Sequence, residues 1–369
     1  MPSSDPVRVG LIGSGWITEQ HLAAFEAAPE TVAVALADYP RDRGGRPGRG
    51  EAVAAQAGLT RYYPDYRRLL EQDDVELVTV ALPNALHAEV TLAALEAGKH
   101  VVVEKPLCLR LEDADRIVAL AEQKGLTVGY AEELCFCPKF VRAKELVDAG
   151  GLGRVFFLEQ TEIHEGPYSD WFFDPTLAGG GALMDMGCHA IEYARWMFGK
   201  ARVEAVTARI DTFVHGHRGP LDDFCLVHLD FEGGMKALLQ AGWTQKGGMT
   251  SSARILGPEG VLKVDLLQTT GLEIYSTGGV PTADVYPGWQ RPGYAWLWEN
   301  GYPQEMSAFA RAVRAGTQPS ESAADGRAVL EIMWAAYASA AEGRTVRLPY
   351  TPPEGLTSPV QVWLQREAR

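Results

Sequence analysis

"VGLIGSGWIT", Val9 to Thr18, decides the fold. An apolar run closes on glycine, Gly13 and Gly15 make a G-x-G turn, and the helical spacing of "EQHLAAFEAA" follows. Glycine lets a backbone approach a pyrophosphate, and the N-terminus of the next helix attracts its charge. Tight strand–helix turns use glycine for their own reasons, so G-x-G gains meaning only from its surroundings. Here the second strand run, "VAVALAD", ends at Asp38, 23 residues beyond Gly15. An acid at that place accepts hydrogen bonds from ribose hydroxyls and repels a 2′-phosphate. The reading is dinucleotide binding with NAD preferred over NADP. Arg41 and Arg43 follow closely, in the loop "PRDRGGRPGRG" (Pro40 to Gly50), and weaken the preference.

Outward from this turn the alternation continues. "VELVTVALP", "HVVVE" and "LTVGY" read as strands, separated by helix patterns that end on Gly98 and Gly125. Continuous apolar strands alternating with helices predict a parallel, doubly wound sheet. Further on, "GRVFFLEQTEI", "VEAVTARIDTFV", "DFCLVHLDF" and "MKALLQAGW" follow with few helices between them, and "DFEGGM" and "ARILGPEGVLKVD" read as hairpins. This predicts a second α/β domain with a large, mainly antiparallel open sheet, with two late helices, around 303–315 and 323–342, packing beside it. The expected division is a Rossmann domain over residues 1–130 and a substrate-binding and oligomerisation domain over 131–369.

Composition narrows the class. The 369 residues are 46% hydrophobic and carry a formal net charge of −14. A surface this acidic repels nucleic acid. No apolar run approaches a membrane span, and the first ten residues lack the pattern of a secretory leader. Five cysteines without a C-x-x-C pair read as free thiols. The expectation is a soluble cytoplasmic protein with neither nucleic-acid nor membrane partners.

In open α/β sheets ligands bind beyond the carboxyl ends of the strands. "HVVVEKPL" ends such a strand on Glu104, Lys105 and Pro106. A lysine there is either a solvated strand end or an ammonium aimed at the nicotinamide; the proline after it, compatible with a cis bond, favours positioning. The candidate cofactor contacts are Gly13, Gly15, Trp16, Ile17, Asp38, Pro83, Asn84, His87, Glu104 and Lys105. In "GGGALMDMGCHAIEYARWMFG", Asp185, His189 and Glu192 stand at i, i+4 and i+7, one face of a continuous helix. A helix-start acid and a satisfied core histidine are the plainer reading; a lone Asp/His/Glu set has no diagnostic metal spacing, and no metal is assigned.

Four stretches together resemble the glucose–fructose oxidoreductase/inositol dehydrogenase (Gfo/Idh/MocA) family: "VGLIGSGWIT", "PNALHAEVTLAALEAGKHVVVEKPL", "GGGALMDMGCH" and "SAADGRAVLEIMWAAYASAAEGRTVRL". The resemblance implies an NAD(P)-dependent dehydrogenase of sugars, polyols or related compounds, a homodimer or homotetramer formed through the C-terminal sheet, and catalytic roles for Lys105, Asp185 and His189. Thr18 replaces the third glycine of the nucleotide turn, Glu192 replaces an aspartate often found after the histidine, and "GYAEELCFCP" lacks an arginine many relatives carry. In the implied chemistry His189 takes the hydroxyl proton, Lys105 stabilises the reacting oxygen, and Asp185 orients or polarises the site; lysine and histidine can exchange roles. In "IHEGPYSDWFFDP", His164, Asp170 and Trp171 are the candidate substrate contacts, since aromatic faces suit a sugar's C–H faces. A glycosidase or lyase using NAD in a transient oxidation cycle is the alternative, and a non-catalytic sensor a third.

Overall fold

The computed structural model describes residues 5–39, 48–268, 274–276, 288–290 and 296–365. Arg41 and Arg43 lie outside them. The first sheet is built from β1 (Val7–Ile12), β2 (Thr31–Ala37), β3 (Tyr62–Tyr63), β4 (Leu77–Val80), β5 (His100–Glu104) and β6 (Val128–Ala131). Its order is β3-β2-β1-β4-β5-β6, and every pairing is parallel. The direction of winding reverses between β1 and β4, which opens a crevice at their carboxyl ends. Its helices are α1 (Trp16–Ala27), α2 (Gly50–Gln56), α3 (Tyr66–Leu70), α4 (His87–Glu96) and α5 (Leu111–Lys124). Gly125, at φ 65°, ends α5 in the left-handed conformation that glycine adopts without cost.

After α6 (Pro138–Asp148) come β7 (Phe157–Ile163), the short α7 (Pro175–Ala178) and α8 (Cys188–Met197). Then follow β8 (Val203–Asp211), β9 (Phe224–Phe231), β10 (Lys236–Gly242), β11 (Thr250–Gly257) and β12 (Gly260–Asp265). A two-stranded ribbon, β13 (Ile274–Ser276) with β14 (Gly288–Gln290), precedes α9 (Trp296–Glu299), α10 (Tyr302–Ala315), α11 (Ala323–Glu342), β15 (Val346–Arg347) and α12 (Val360–Leu364). The second sheet has the order β12-β11-β7-β10-β9-β8-β15, antiparallel except where β7 meets β10. Alternation of buried and more exposed residues along β9 and most of β10 shows one face on the core and one left open.

The late helices part company. α11 packs on β8, α5 and α8, as expected, and Trp334 donates to the Leu109 carbonyl across the boundary between the two sheets. α10 instead returns to the first domain. Its Met306, Phe309 and Ala310 share a core with Val9, Leu36 and Leu77. A parallel sheet needs helices on both faces, and α10 supplies part of that cover beside α1.

Candidate active site

The nucleotide turn is shaped as its glycines require. Gly13 sits at φ 109°, and a Cβ there would lie 2.0 Å from the Ala81 carbonyl oxygen. Gly15 is the N-cap of α1; it supplies no side-chain cap, and a Cβ on it would meet nothing within 4 Å. A twelve-residue helix thus opens on a glycine at the end of β1, where the helix N-terminus would attract a pyrophosphate's charge. Trp16 is exposed and Ile17 packs on the core of this domain. Thr18 is fully buried, so the third position of the fingerprint serves packing. Asp38 holds the Ser14 hydroxyl on one carboxylate oxygen and the Tyr39 N–H on the other at 2.8 Å. Burial raises its carboxyl above the ordinary range, opposed by those hydrogen bonds. These residues fit a dinucleotide.

His87 and Glu104, two of the expected cofactor contacts, make their side-chain hydrogen bonds inside the protein. His87 is completely buried, with Nδ1 2.8 Å from the Pro106 carbonyl and Nε2 2.8 Å from the Leu82 carbonyl. Glu104 is held by His21 Nε2 at 2.9 Å and by the Lys105 N–H at 3.2 Å. Both side chains are committed inward, bracing the turn that carries Lys105. Pro83 precedes the 3-10 turn Asn84–Leu86, and the Asn84 amide donates to the Ala178 carbonyl at 2.8 Å, tying the crevice to α7.

The Lys105–Pro106 peptide is cis. Lys105 Nζ lies 2.9 Å from Asp185 Oδ1 and 3.0 Å from the Asp185 carbonyl. Asp185 Oδ2 accepts from Trp243 Nε1 at 2.9 Å, with His164 Nε2 3.7 Å away. Since His164 Nδ1 accepts the Gly166 N–H, its proton sits on Nε2 and faces Asp185. Burial alone would push the Lys105 ammonium down; the Asp185 charge more than reverses this and leaves it raised. Burial would likewise raise Asp185, and Lys105 with His164 holds it well below the carboxylate range instead. Lysine and aspartate thus form a charged pair across the whole working pH range.

His189 Nδ1 is bonded to Glu132 Oε1 at 2.7 Å, and Glu133 Oε2 lies 3.7 Å from the same nitrogen. Its Nε2 has no partner among the described residues. Burial lowers the imidazole despite the Glu133 charge. Burial, with the Glu192 charge, raises the Glu132 carboxyl well above its usual value. An ionised Glu132 places the proton on Nδ1 and leaves Nε2 a base; a neutral Glu132 donates to Nδ1 and leaves Nε2–H an acid.

The helix expected over 185–192 is present but changes its winding. Leu183–Gly187 is a π-turn, and α8 begins only at Cys188. Asp185 and His189 serve the site, while Glu192 turns to a separate buried cluster with Arg195, Lys200 and Asp325. The glycines before it serve close packing: a Cβ on Gly181 would lie 1.8 Å from the Asp222 carbonyl oxygen. Asp222, wholly buried, accepts the N–H of Gly181 at 3.0 Å, that of Leu183 at 2.8 Å and the Tyr337 hydroxyl at 2.6 Å, fixing the start of the turn.

Of the expected substrate contacts, His164 stands at the cluster. Trp171 stacks on Phe172 at 3.8 Å, and Phe172 meets Trp243 edge-on at 6.3 Å, so an aromatic wall reaches Asp185. Asp170 has its carboxylate 75% exposed and paired with Arg218 at 2.8 Å. Glu132, Glu133, His21, Asp222 and Trp243 were missed. Only the two glutamates carried a signal, since they follow a strand of the first sheet at its carboxyl end, as Lys105 does.

A glycine turn at a helix N-terminus, an acid after β2 and a lysine–aspartate pair at the end of β5 define a nicotinamide-dependent oxidoreductase. The comparisons agree. Residues 7–132 match the oxidoreductase family with an NAD-binding Rossmann fold, and residues 140–263 match the GFO/IDH/MocA C-terminal domain. D-xylose 1-dehydrogenase (NADP(+)) 2 of Haloferax volcanii is 31% identical, over 92% of this chain and 99% of the relative. Levoglucosan dehydrogenase of Pseudarthrobacter phenanthrenivorans is 28% identical, over 93% and 98%. The crystal structure of GenD2 from gentamicin A biosynthesis, in complex with NAD, superimposes with a TM-score of 0.82 at 32% identity, covering 94% of this chain and 97% of that one. The chain belongs to the Gfo/Idh/MocA oxidoreductase family. Among the described residues no helix is long and apolar enough to cross a membrane.

Proposed function

We propose that this protein moves hydride between NAD and a secondary hydroxyl carbon of a sugar, polyol or related compound. The observation that carries the reading is the ammonium of Lys105, fixed on Asp185 at 2.9 Å beside an imidazole whose Nε2 is free. Two of the three Lys105 N–H bonds are taken by Asp185 oxygens, which leaves the third for the reacting oxygen. Because the lysine stays charged, it stabilises developing alkoxide and does not serve as the base. His189 Nε2 takes the hydroxyl proton, and Glu132 fixes the ring's orientation. Trp171 and Phe172 offer a face to the substrate's C–H groups, and His164 stands beside them with its Nε2–H on Asp185. The bound nicotinamide supplies the hydride acceptor.

Asp38 supports NAD over NADP. The relatives named above for their activities are dehydrogenases, so a glycosidase or lyase cycle is not favoured. Residues 1–130 carry the cofactor, and 131–369 carry the substrate wall and the open sheet face, through which the chain forms a homodimer or homotetramer. The setting is the cytoplasm; five buried free cysteines support it. The test is a screen of aldoses, inositols and anhydrosugars with NAD and NADP, following reduced-cofactor absorbance and carbohydrate products together. Reduction of NAD by at least one alcohol is expected. Glycoside cleavage without net reduction would overturn the reading.

A further inference from the structure

Glu133 is the acid of this site with nothing to hold it. Its carboxylate has no hydrogen bond among the described residues, and its nearest ionisable partner is His189 Nδ1 at 3.7 Å. Its side chain keeps 16% of its surface exposed, whereas that of Glu132 keeps none. It follows β6 at the carboxyl end of the sheet, where the cofactor crevice lies.

Its surroundings are acidic on every side. From the end of β5, Glu104 and Lys105 act on it; Lys105 is already neutralised by Asp185. From α8 come His189 and Cys188, and from its own turn Glu132. From α10 come Tyr302 and Glu305, whose two carboxyl oxygens are buried without hydrogen bonds. Cys137, before α6, and Glu162, on β7, complete the set. No unpaired cation stands among these groups.

The oxidised nicotinamide ring carries a positive charge and the reduced ring carries none. We propose that Glu133 couples that charge to the protonation of the base: the site gives up a proton when NAD⁺ enters and keeps it when NADH enters. The inference rests on the nicotinamide-binding reading. It deepens that reading by giving Glu133 a role that acts through His189. Burial pushes Glu133 up to about 7, so it changes charge near neutral pH, while burial raises Glu132 above its usual value and lowers His189. With NAD⁺ bound, Glu133 is ionised, and its charge raises the readiness of the His189 imidazole to take up a proton. When the alcohol gives hydride to the ring and its hydroxyl proton to His189 Nε2, the ring loses one positive charge as the cluster gains one. The site's total charge is unchanged, and the proton leaves to water when NADH is exchanged for NAD⁺. In the opposite direction the protonated cluster is ready to give that proton to an alkoxide.

The test needs no substrate. Titrate NAD⁺ by calorimetry and NADH by fluorescence from pH 6 to 8, and measure proton release on mixing with a pH indicator at pH 7 in unbuffered solution. NAD⁺ affinity should rise roughly 5–10-fold over that range, below the limit of tenfold per pH unit for one linked proton, with NADH changing less than about twofold. Glu133→Gln should flatten the NAD⁺ slope to within about twofold and abolish the proton release; Glu133→Asp should retain both. Parallel slopes for the two cofactors in the wild type overturn the coupling without any variant. A Glu133→Gln protein that keeps the wild-type slope overturns the assignment to Glu133. Failure of both cofactors to bind overturns the nicotinamide reading itself, and this inference with it.

Discussion

Glu132 holds His189 by one ring nitrogen, Oε1 to Nδ1 at 2.7 Å, and so leaves Nε2 as the edge that can act. Burial disfavours charge on both partners, which makes the proton-loaded pair neutral and the unloaded pair a strong base. The first prediction follows from that bond. Glu132→Gln preserves shape and hydrogen bonding but removes the carboxylate that places the proton on Nδ1. Turnover should fall roughly 10²–10⁴-fold, with NADH affinity within about threefold. Steady-state rates and NADH fluorescence on one preparation check it; near-normal turnover would reduce Glu132 to packing.

Cofactor choice is read at Asp38. Asp38→Ser removes the charge that repels a 2′-phosphate and also frees the Ser14 hydroxyl. The ratio of kcat/KM for NAD over NADP should drop at least tenfold. A wild-type preference for NADP would point instead to cations near this end of the crevice, Arg49 among them.

Asp222 fixes the start of the π-turn through three donors. Asp222→Ala leaves the Leu183 N–H and the Tyr337 hydroxyl without this acceptor, while the Gly181 N–H keeps the Tyr337 oxygen at 3.2 Å, at a cost of about 2 kcal/mol or more. A melting-temperature drop of several degrees or more, with weakened activity, is expected; an unchanged melting temperature would mean the turn is held elsewhere.

The pH behaviour has a definite sign. Lys105 is raised above its ordinary value, so its contribution is present below about pH 10 and is lost only as pH rises through the raised value. Asp185 is lowered, so its contribution is present above about pH 4 and is lost only as pH falls through the lowered value. Alcohol oxidation should therefore rise with pH through the neutral range as His189 and its acids lose a proton, and carbonyl reduction should fall over the same range. Oxidation that declines between pH 6 and 8 would contradict the base assignment.

Much of this was legible in the chain because local rules and tertiary demands agree. Gly13 must admit the Ala81 carbonyl, and Asp38 must end β2, so the cofactor half announces itself in short motifs. Lys105, Asp185 and His189 were likewise visible, since chemistry places them at strand and helix ends. The i, i+4, i+7 spacing misled at Glu192 because a π-turn, invisible to a 3.6-residue period, leads straight into α8 and shifts the helix faces. Trp243 and Asp222 meet the site from just after β10 and from the segment before β9, a convergence that only the folded sheet creates. Glu104 and His87 sit beside cofactor motifs yet face inward, which proximity in sequence cannot distinguish.

The most direct test of the account is the single-turnover rate of hydride transfer in Lys105→Ala and Lys105→Arg, with melting temperature and NADH affinity measured alongside. Alanine removes both charge and donor; arginine keeps charge but changes shape and reach. The account predicts that both variants fold and bind NADH while losing most of their hydride transfer, Lys105→Ala by at least about 10²-fold. A folded Lys105→Ala protein that binds NADH and transfers hydride near the wild-type rate would contradict it.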